Sequence, residues 1–308
     1  MNVNHEENNK IVMTHSQLNL FVKIAETGSF TKAGEELNMT QPAVSRAIST
    51  LESELGATLI IRDRKNGILL TDLGERLLII FREILHGFNK VEQEVKAEKG
   101  FEAGTIRIGS FPIVSAHFLP KILRVFGEKY PGIKFELYEG TIEEIKEWLS
   151  TRFVDVGWIM PPNDEFDILP FIKDELCLLL HDDHPLQNHP HIQITDLSNE
   201  SMILCKGGFD TPIYELFHKS GATLRAKFDV HNINAALNMV QEGLGLAIVS
   251  KISMSMSTLP PNVRVRTIDS QPFREINLAV TSFKDASVAA KLFVKTAREL
   301  YLSDNAKK

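Results

Sequence analysis

The stretch "NMTQPAVSRAISTLESELG", residues 38–56, decides how the rest of the chain is read. Val44, Ala47, Ile48, Leu51 and Leu55 recur at the 3.6-residue period, which predicts a helix with one face on a core. The opposite face carries Pro42, Arg46, Ser49 and Ser53, flanked by Ala43, Ser45 and Thr50. A helix that merely meets water usually shows long charged side chains there. This one offers short hydrogen-bonding groups and a single long cation. Just upstream, "SFTKAGEELN" (29–38) reads as a shorter helix with Ser29 as its N-cap, and Asn38-Met39-Thr40 as the turn between the two. Thr40 is expected to cap the second helix, and Pro42 sits in its first turn, where a missing N–H costs little. Two short helices joined by a tight turn make a helix-turn-helix candidate. A face of small residues fits the ~12 Å major groove of DNA. Gln41, Ser45 and Ser49 can bond base edges or phosphates, and Arg46 can take guanine in bidentate fashion or a phosphate. An ordinary helical hairpin with a polar face has the same pattern, so the pattern alone leaves both readings open.

Outward from this core the chain stays patterned. Residues 1–13 are a polar, Asn-rich tail expected to be disordered, and helical periodicity begins near Ser16. Short apolar pieces surround "RDRKNG" (62–67), which suits a small β-hairpin with Asn66-Gly67 at its turn. Its tip would lay Arg62, Arg64 and Lys65 beside a DNA backbone, like a wing. A long helix is then expected from Asp72 to about Lys96. In it Leu73, Leu77, Ile80, Ile84, Phe88, Val91 and Val95 recur close to a heptad, a seam that pairs with another helix. Packing on its own domain is the alternative. Gly74 and Gly87 weaken this helix slightly.

"EKGFEAG" (98–104) reads as a linker, after which strands and helices alternate. "TIRIG" (105–109), "IKFELYEG" (133–140) and "VDVGWI" (154–159) are expected strands, with helices near 116–129 and 142–151. That βαβαβ order implies a parallel sheet covered on both faces. A second such unit is expected to include "ELCLLLH" (175–181), "SMILC" (201–205), "RAKFDV" (225–230) and "GLAIVS" (245–250), and a helix over about 285–302 closes the chain.

Composition excludes more than it selects. The net charge of −6 argues against a general polyanion binder. Residues 14–71 carry six Lys or Arg against six Asp or Glu, so any DNA reading rests on the motif and not on charge. Cys177 and Cys205 alone make no disulfide framework or zinc quartet. Cys177 lies in an apolar strand and reads as core, as do Trp148 and Trp158. Cys205 precedes Lys206-Gly207-Gly208, a setting that can stabilise a thiolate. "HDDHPLQNHPH" (181–191) holds four histidines but reads as a solvated loop between strands. "GLGLAIVS" has a lone G-x-G without the rest of a dinucleotide fingerprint. No nucleophile–base–acid set stands out, and no cofactor or metal is expected. With no signal-like or membrane-length apolar run, the cytoplasm is the default expectation and no membrane partner is expected.

Taken whole, "SFTKAGEELNMTQPAVSRAISTLESELGATLIIRDRKNGILLTDLGERL" resembles the winged helix-turn-helix of the LysR-type transcriptional regulators. "TQPAVSRAISTLE", the following "ELG" and "LLTDLG" stand at that family's spacing. The match is specific over about 14–97 and looser beyond, where "GTIRIGS" and "HPL" resemble family strings. Gly34 stands where the family usually has Ala, and Ile60 where it often has Phe. The resemblance implies an α/β chain overall: a tail (1–13), an all-α winged helix-turn-helix (14–71), a dimerising linker helix (72–98), and a two-lobed α/β effector domain of periplasmic-binding-protein type (104–303). Lobe I would be about 104–161 with 268–303, and lobe II about 162–267. It implies a ligand-responsive regulator and no enzyme, forming homodimers or homotetramers on double-stranded operator DNA, with RNA polymerase as a candidate partner. Candidate DNA contacts are Ser29, Thr31, Thr40, Gln41, Pro42, Ser45, Arg46, Ser49, Arg62, Arg64 and Lys65. Candidate pairing residues are Leu73, Leu77, Ile80, Ile84, Phe88 and Val91. A cytoplasmic binding protein with a helical oligomerisation arm, and an α/β enzyme, are the readings from other classes.

Three strand ends suggest where a small polar or anionic effector would sit. "TIRIG" runs into Ser110-Phe111-Pro112, "FELYEG" into Thr141, and "KFDV" into His231-Asn232, each before a helix. In open parallel sheets, ligands sit at the carboxyl ends of strands, beside helix N-termini with free N–H groups. Ser, Thr and Asn also simply cap helices. The resemblance adds that such regulators bind inducers with the loops matching Ser110, Thr141 and the stretch around Cys205-Lys206-Gly207. Lys206 would add a full charge for a carboxylate or sulfate. The candidate effector contacts are Ser110, Phe111, Thr141, Cys205, Lys206, Gly207 and Asn232.

Overall fold

The computed structural model describes residues 11–63, 67–207, 209–255 and 257–301. Contacts divide the chain into a unit ending at Glu92 and a unit beginning at Gln93, and each is taken by itself.

In the first unit, α1 (His15–Thr27) opens on a closed capping box between Thr14 and Gln17 and ends at Gly28 in the left-handed conformation. α2 (Phe30–Glu36) starts at Ser29, whose hydroxyl accepts the Lys32 N–H. α3 (Gln41–Leu55) follows, with Val44, Ile48 and Leu51 buried against Leu20, Phe21 and Ile24 of α1 and Phe81. The turn between α2 and α3 is tight: a Cβ on Gly34 would lie 2.8 Å from the Met39 carbonyl oxygen. β1 (Ile60–Asp63) and β2 (Gly67–Leu70) form the expected antiparallel hairpin, with Ile60 opposite Leu70. Its tip, 64–66, lies outside the described residues. Glu52 fixes the hairpin to α3, because its Oε1 accepts the N–H groups of Leu59 (2.7 Å) and Ile60 (3.1 Å).

The long helix α4 (Asp72–Glu98) starts hard against that hairpin. Thr71 caps it, its hydroxyl accepting the Gly74 N–H at 3.0 Å and donating to the Thr58 carbonyl at 3.0 Å. A Cβ on Gly74 would fall 2.3 Å from the Leu59 carbonyl oxygen, whereas one on Gly87 would meet nothing within 4 Å. Gly74 is therefore required by contact, and Gly87 is not. The apolar seam is split. Phe81 and Leu85 are buried, and Leu73, Leu77 and Ile84 pack half-buried on the same core. Ile79, Ile80, Phe88, Val91 and Val95 stay exposed. The 3.5-residue period does not separate these two sets, since the helix's own domain and an external partner both demand apolar residues.

The second unit begins with β3 (Ala103–Ser110), α5 (Pro112–His117), α6 (Leu119–Lys129), β4 (Gly132–Glu139), α7 (Ile142–Ser150) and β5 (Val156–Ile159). β4, β3 and β5 are parallel, as the βαβαβ pattern predicts. The single helix expected over 116–129 is instead two, because Pro120 in the first turn of α6 cannot supply a helical N–H to the preceding turn. The chain continues through β6 (Asp167–His181), β7 (Ser201–Cys205), α8 (Thr211–Ser220), β8 (Arg225–Val230), α9 (Ile233–Gln241), β9 (Ala247–Ser250), α10 (Lys251–Ser255), β10 (Val263–Thr267), β11 (Phe273–Val280) and α11 (Val288–Tyr301).

The second half is not a repeat of the first. β7 and β8 are parallel, and Met202 bridges Leu246 in parallel. However, β6 runs antiparallel to β9, β10 and β11. Its first half pairs with β11 and its second half with β9 and β10, so one strand serves both lobes. Ile106, Ile108, Phe126, Trp158 and Phe293 centre the first lobe's core. In the second lobe, Leu176, Leu178 and Leu180 of β6 pack on one side with Ile192, Ile213 and Phe217. The alternate Cys177 and Leu179 pack on the other side with Leu237 and Val240 of α9. Burial on both faces explains the unbroken apolar run "LCLLL".

Two glycine substitutions test the account of α4. Gly74→Ala should cost about 1–3 kcal/mol, because a methyl is forced onto a backbone oxygen. Gly87→Ala should stabilise by about 0.5–1 kcal/mol through backbone entropy. Urea unfolding followed by helical circular dichroism reads both, and equal effects at the two sites would contradict the contact argument.

Candidate nucleic-acid interface and ligand cavity

α3 presents Gln41, Pro42, Arg46, Ser49 and Thr50 to solvent, with Ser45 half-buried. Thr40 stands at the N-cap with extended angles (φ −73, ψ 147), but its hydroxyl makes no capping bond. The expectation that Thr40 caps the helix through its side chain is thus corrected, and its hydroxyl remains available. The Arg46 side chain makes no ion pair or hydrogen bond among the described residues, while its carbonyl accepts the Thr50 hydroxyl at 3.0 Å. Arg62 is differently placed. Its guanidinium lies 4.3 Å from the centre of the Phe30 ring and donates to Ser45 Oγ at 3.1 Å. It braces β1 against α2 and α3, and Ser45 is its acceptor. Ser29 is engaged as the α2 cap and Thr31 is exposed. Arg64 and Lys65 lie outside the described residues.

In the second unit a cavity of about 350 Å³ opens between the α5 side and the β7–β9–α9 side. α5 contributes Pro112, Ile113 and Ala116. The far wall includes Cys205, Phe209, Ile213, His231, Asn232 and Asn234, with Ile248, Val249 and Ser250 of β9 behind.

The residues expected at strand ends divide sharply. Cys205 and Asn232 line the cavity, although Asn232 Oδ1 already accepts the Ala235 N–H at 2.9 Å. Phe111 is buried and packs edge-on against Phe209, ring centres 5.5 Å apart. Ser110 is buried and shares a 2.6 Å hydrogen bond with the Ser115 hydroxyl. Thr141 is spent in a capping box with Glu144, whose carboxyl is held below its ordinary value by the Thr141 N–H. Gly207 adopts φ +98, and its carbonyl accepts the Ile142 N–H at 3.4 Å. Lys206 is engaged by Asp210 (2.9 Å), Asp229 (3.6 Å) and the Tyr214 hydroxyl (3.3 Å). Asp210 foremost, with the Tyr214 hydroxyl, raises its pKa against the effect of burial.

Arg274, on β11, lines the cavity and was not anticipated. It is 7% exposed; its Nε donates to Asp174 Oδ2 at 2.8 Å, and its Nη2 lies 2.8 Å from the same oxygen as the ion-pair contact. Asp174 is fully buried, and its other oxygen accepts the Ser250 hydroxyl at 2.9 Å and the Ile252 N–H at 3.5 Å. The pairing is cross-strand between β6 and β11, and a reading that had not recognised β11 carried no signal for it.

Burial pushes the Cys205 thiol up to about 11, against the pull of Arg274. Burial likewise pushes Cys177 up to about 11, and its Sγ donates to the Val249 carbonyl at 3.6 Å. Both thiols are thus held in the protonated form at neutral pH. In the histidine loop, His184 faces Glu200 and His191 faces Asp269, while His181 lies beside Asp182 and Asp183. Iodoacetamide should label both cysteines slowly at pH 7, faster by about tenfold per pH unit until near 11. A rate that levels off near pH 7 would contradict the burial argument.

Comparison with known proteins agrees with this layout. The family description "Bacterial regulatory helix-turn-helix protein, lysR family" matches residues 15–75, and "LysR substrate binding domain" matches 99–301. The "Uncharacterized HTH-type transcriptional regulator YvbU" of Bacillus subtilis (strain 168) is 53% identical over 289 residues, 94% of this chain and 99% of that protein. Full-length OxyR from Pseudomonas aeruginosa shares the fold with a TM-score of 0.77 at 21% identity, over 93% of this chain and 95% of that one. Full-length CbnR, crystallised in complex with target DNA, aligns with a TM-score of 0.63 at 24% identity, over 93% and 99%. Among the described residues no helix is long and apolar enough to cross a membrane.

Proposed function

The chain belongs to the LysR family of transcriptional regulators, and we propose that it reads operator DNA with the exposed face of α3 and answers to a small metabolite in the cavity beside α5 and α9. It is a DNA-binding regulator with a substrate-binding domain and not an enzyme. The observation that carries the reading of α3 is Arg46: an exposed guanidinium without a partner among the described residues, on a face that it shares with Gln41, Pro42, Ser49 and Thr50. A recognition helix with such a face enters the major groove, its short groups allowing close approach and its arginine reaching a guanine edge. Arg62 acts from behind, holding β1 and α3 in register, while Arg64 and Lys65 meet phosphates.

Residues 14–71 form the DNA reader, 72–98 the pairing helix and 104–303 the effector domain, its lobes meeting near 161 and 268. Two copies pair through the exposed stripe Ile80, Phe88 and Val91, extended by Val95, and thereby set the spacing of two reading helices on successive major grooves. Such dimers assemble further into tetramers, work in the cytoplasm and meet RNA polymerase at the promoter. The ligand acts by binding one arrangement of the effector lobes more tightly than another, since equal affinity would shift nothing.

Arg46→Ala should cost about 1–3 kcal/mol in operator affinity with the fold intact. Fluorescence anisotropy at one salt concentration reads it, and wild-type affinity would remove α3 from the interface. Phe88→Asp or Val91→Asp should give a folded monomer, because a charge enters the pairing stripe and not the domain's own core. A dimer that survives both changes in sedimentation velocity would place the contact elsewhere.

A further inference from the structure

The cavity has one charged lining side chain among the described residues, and it is a cation. Arg274 is not free to swing. Nε donates to Asp174 Oδ2, Nη2 lies against the same oxygen in the ion pair, and Asp174 is itself fixed by Ser250 and the Ile252 N–H. Nη1 alone makes no hydrogen bond or ion pair to the described residues. The guanidinium therefore offers one rigid donor edge, pre-oriented by a carboxylate that solvent does not reach. The rest of the wall is dominated by hydrocarbon: Ile113, Leu176, Ile213, Ile248, Val249 and the ring of Phe209.

These two facts constrain a ligand strongly. A cation would meet only the N–H donors of Arg274, whose charge Asp174 balances, and would find no carboxylate on the lining. A polyanion would meet a single counter-charge and would have to bury its remaining charges against isoleucines, which is costly. A purely apolar molecule would cover Nη1 without satisfying it. With a volume of about 350 Å³ the cavity stands at the small end of ligand sites, which run from ~300 to 1,000 Å³.

We propose that the effector is a small amphipathic monoanion, a single carboxylate on Arg274 Nη1 with a hydrocarbon or aromatic body against the Ile113, Ile213 and Ile248 walls. Lys206, the cation that the sequence singled out, is not its anchor, because it is not among the residues lining the cavity. The inference rests on the reading that this cavity is the effector site.

The test uses the full chain and isothermal titration calorimetry. Octanoate and phenylacetate are the acid probes, with octanamide, octylamine and citrate as neutral, cationic and polyanionic comparators. Both acids should bind saturably, and octanamide should bind roughly tenfold more weakly or worse, the loss of a charge-assisted hydrogen bond. Octylamine and citrate should not bind. Ala116→Phe fills the cavity from α5 without touching the ion pair and should abolish binding of both acids. The paired change Arg274→Gln with Asp174→Asn replaces the ion pair by an amide pair and should erase the preference for octanoate over octanamide. The preference itself is read on the unaltered chain, so it stands whether or not the paired variant folds. If octanamide, octylamine or citrate binds as well as the acids and Ala116→Phe removes that binding, the cavity reading stands and the monoanion proposal fails. If the acids bind Ala116→Phe as they bind the unaltered chain, the cavity reading itself fails. Absence of binding by both acids up to millimolar concentration overturns the proposal.

Discussion

The buried pair of Asp174 and Arg274 is the contact on which the second unit depends. It joins β6 to β11 where β6 leaves the core around Phe171 and enters the one around Leu176. A charge with no exposure is tolerable only when fully paired, and Asp174 has the guanidinium, a hydroxyl and a backbone N–H around it. Removing either partner of such a pair typically costs about 3–5 kcal/mol, because the other is left buried and alone. The donors on Asp174 come from β11, from Ser250 at the end of β9 and from Ile252 in α10, so one carboxylate ties together the elements behind the cavity. The same pair holds Arg274 on the lining of the cavity, so the side chain that stabilises the strand pairing is also the one proposed to meet the ligand.

The first unit is held by a comparable economy of small contacts. Glu52 takes two N–H groups at the root of the hairpin, Thr71 caps α4, and Gly74 lets α4 start against the Leu59 carbonyl. Arg62 packs between Phe30 and Ser45. These fix the angle between α3 and its surroundings, and of the outer face they use only Ser45 at its flank. Arg46, Gln41 and Ser49 are thus left uncommitted on a rigid support, which is what a reading surface requires.

How much of this was legible follows from which forces are local. α3 was readable because its apolar period and its odd outer face both lie within one short stretch. β3, β4 and β5 were readable because strands buried in a parallel sheet are nearly continuous apolar runs. β10 and β11 were not, since "VRVRT" and "FREINLAV" interleave charges, and the partner of Arg274 lies on a strand a hundred residues away. Ser110 and Thr141 looked like ligand groups because a polar residue at a strand end has the same appearance whether it caps a helix or contacts a ligand. Thr141 with Glu144 is legible as a T-x-x-E capping box, which the fold contains, whereas the Ser110–Ser115 bond shows only in the fold. Lys206 has the same double appearance, and Asp210 four residues on is the partner that the fold gives it. The heptad in α4 concealed a division between Leu77, which serves its own core, and Phe88, which stays exposed.

The central claim is that this chain, acidic overall, reads DNA through one local face. The most direct measurement is operator affinity of the full chain across a range of salt concentrations. Log affinity should fall steeply and linearly with log salt, by about 0.9 per phosphate neutralised, with operator preferred over unrelated duplex at every salt concentration. A flat salt dependence, or equal affinity for operator and unrelated DNA, would contradict it.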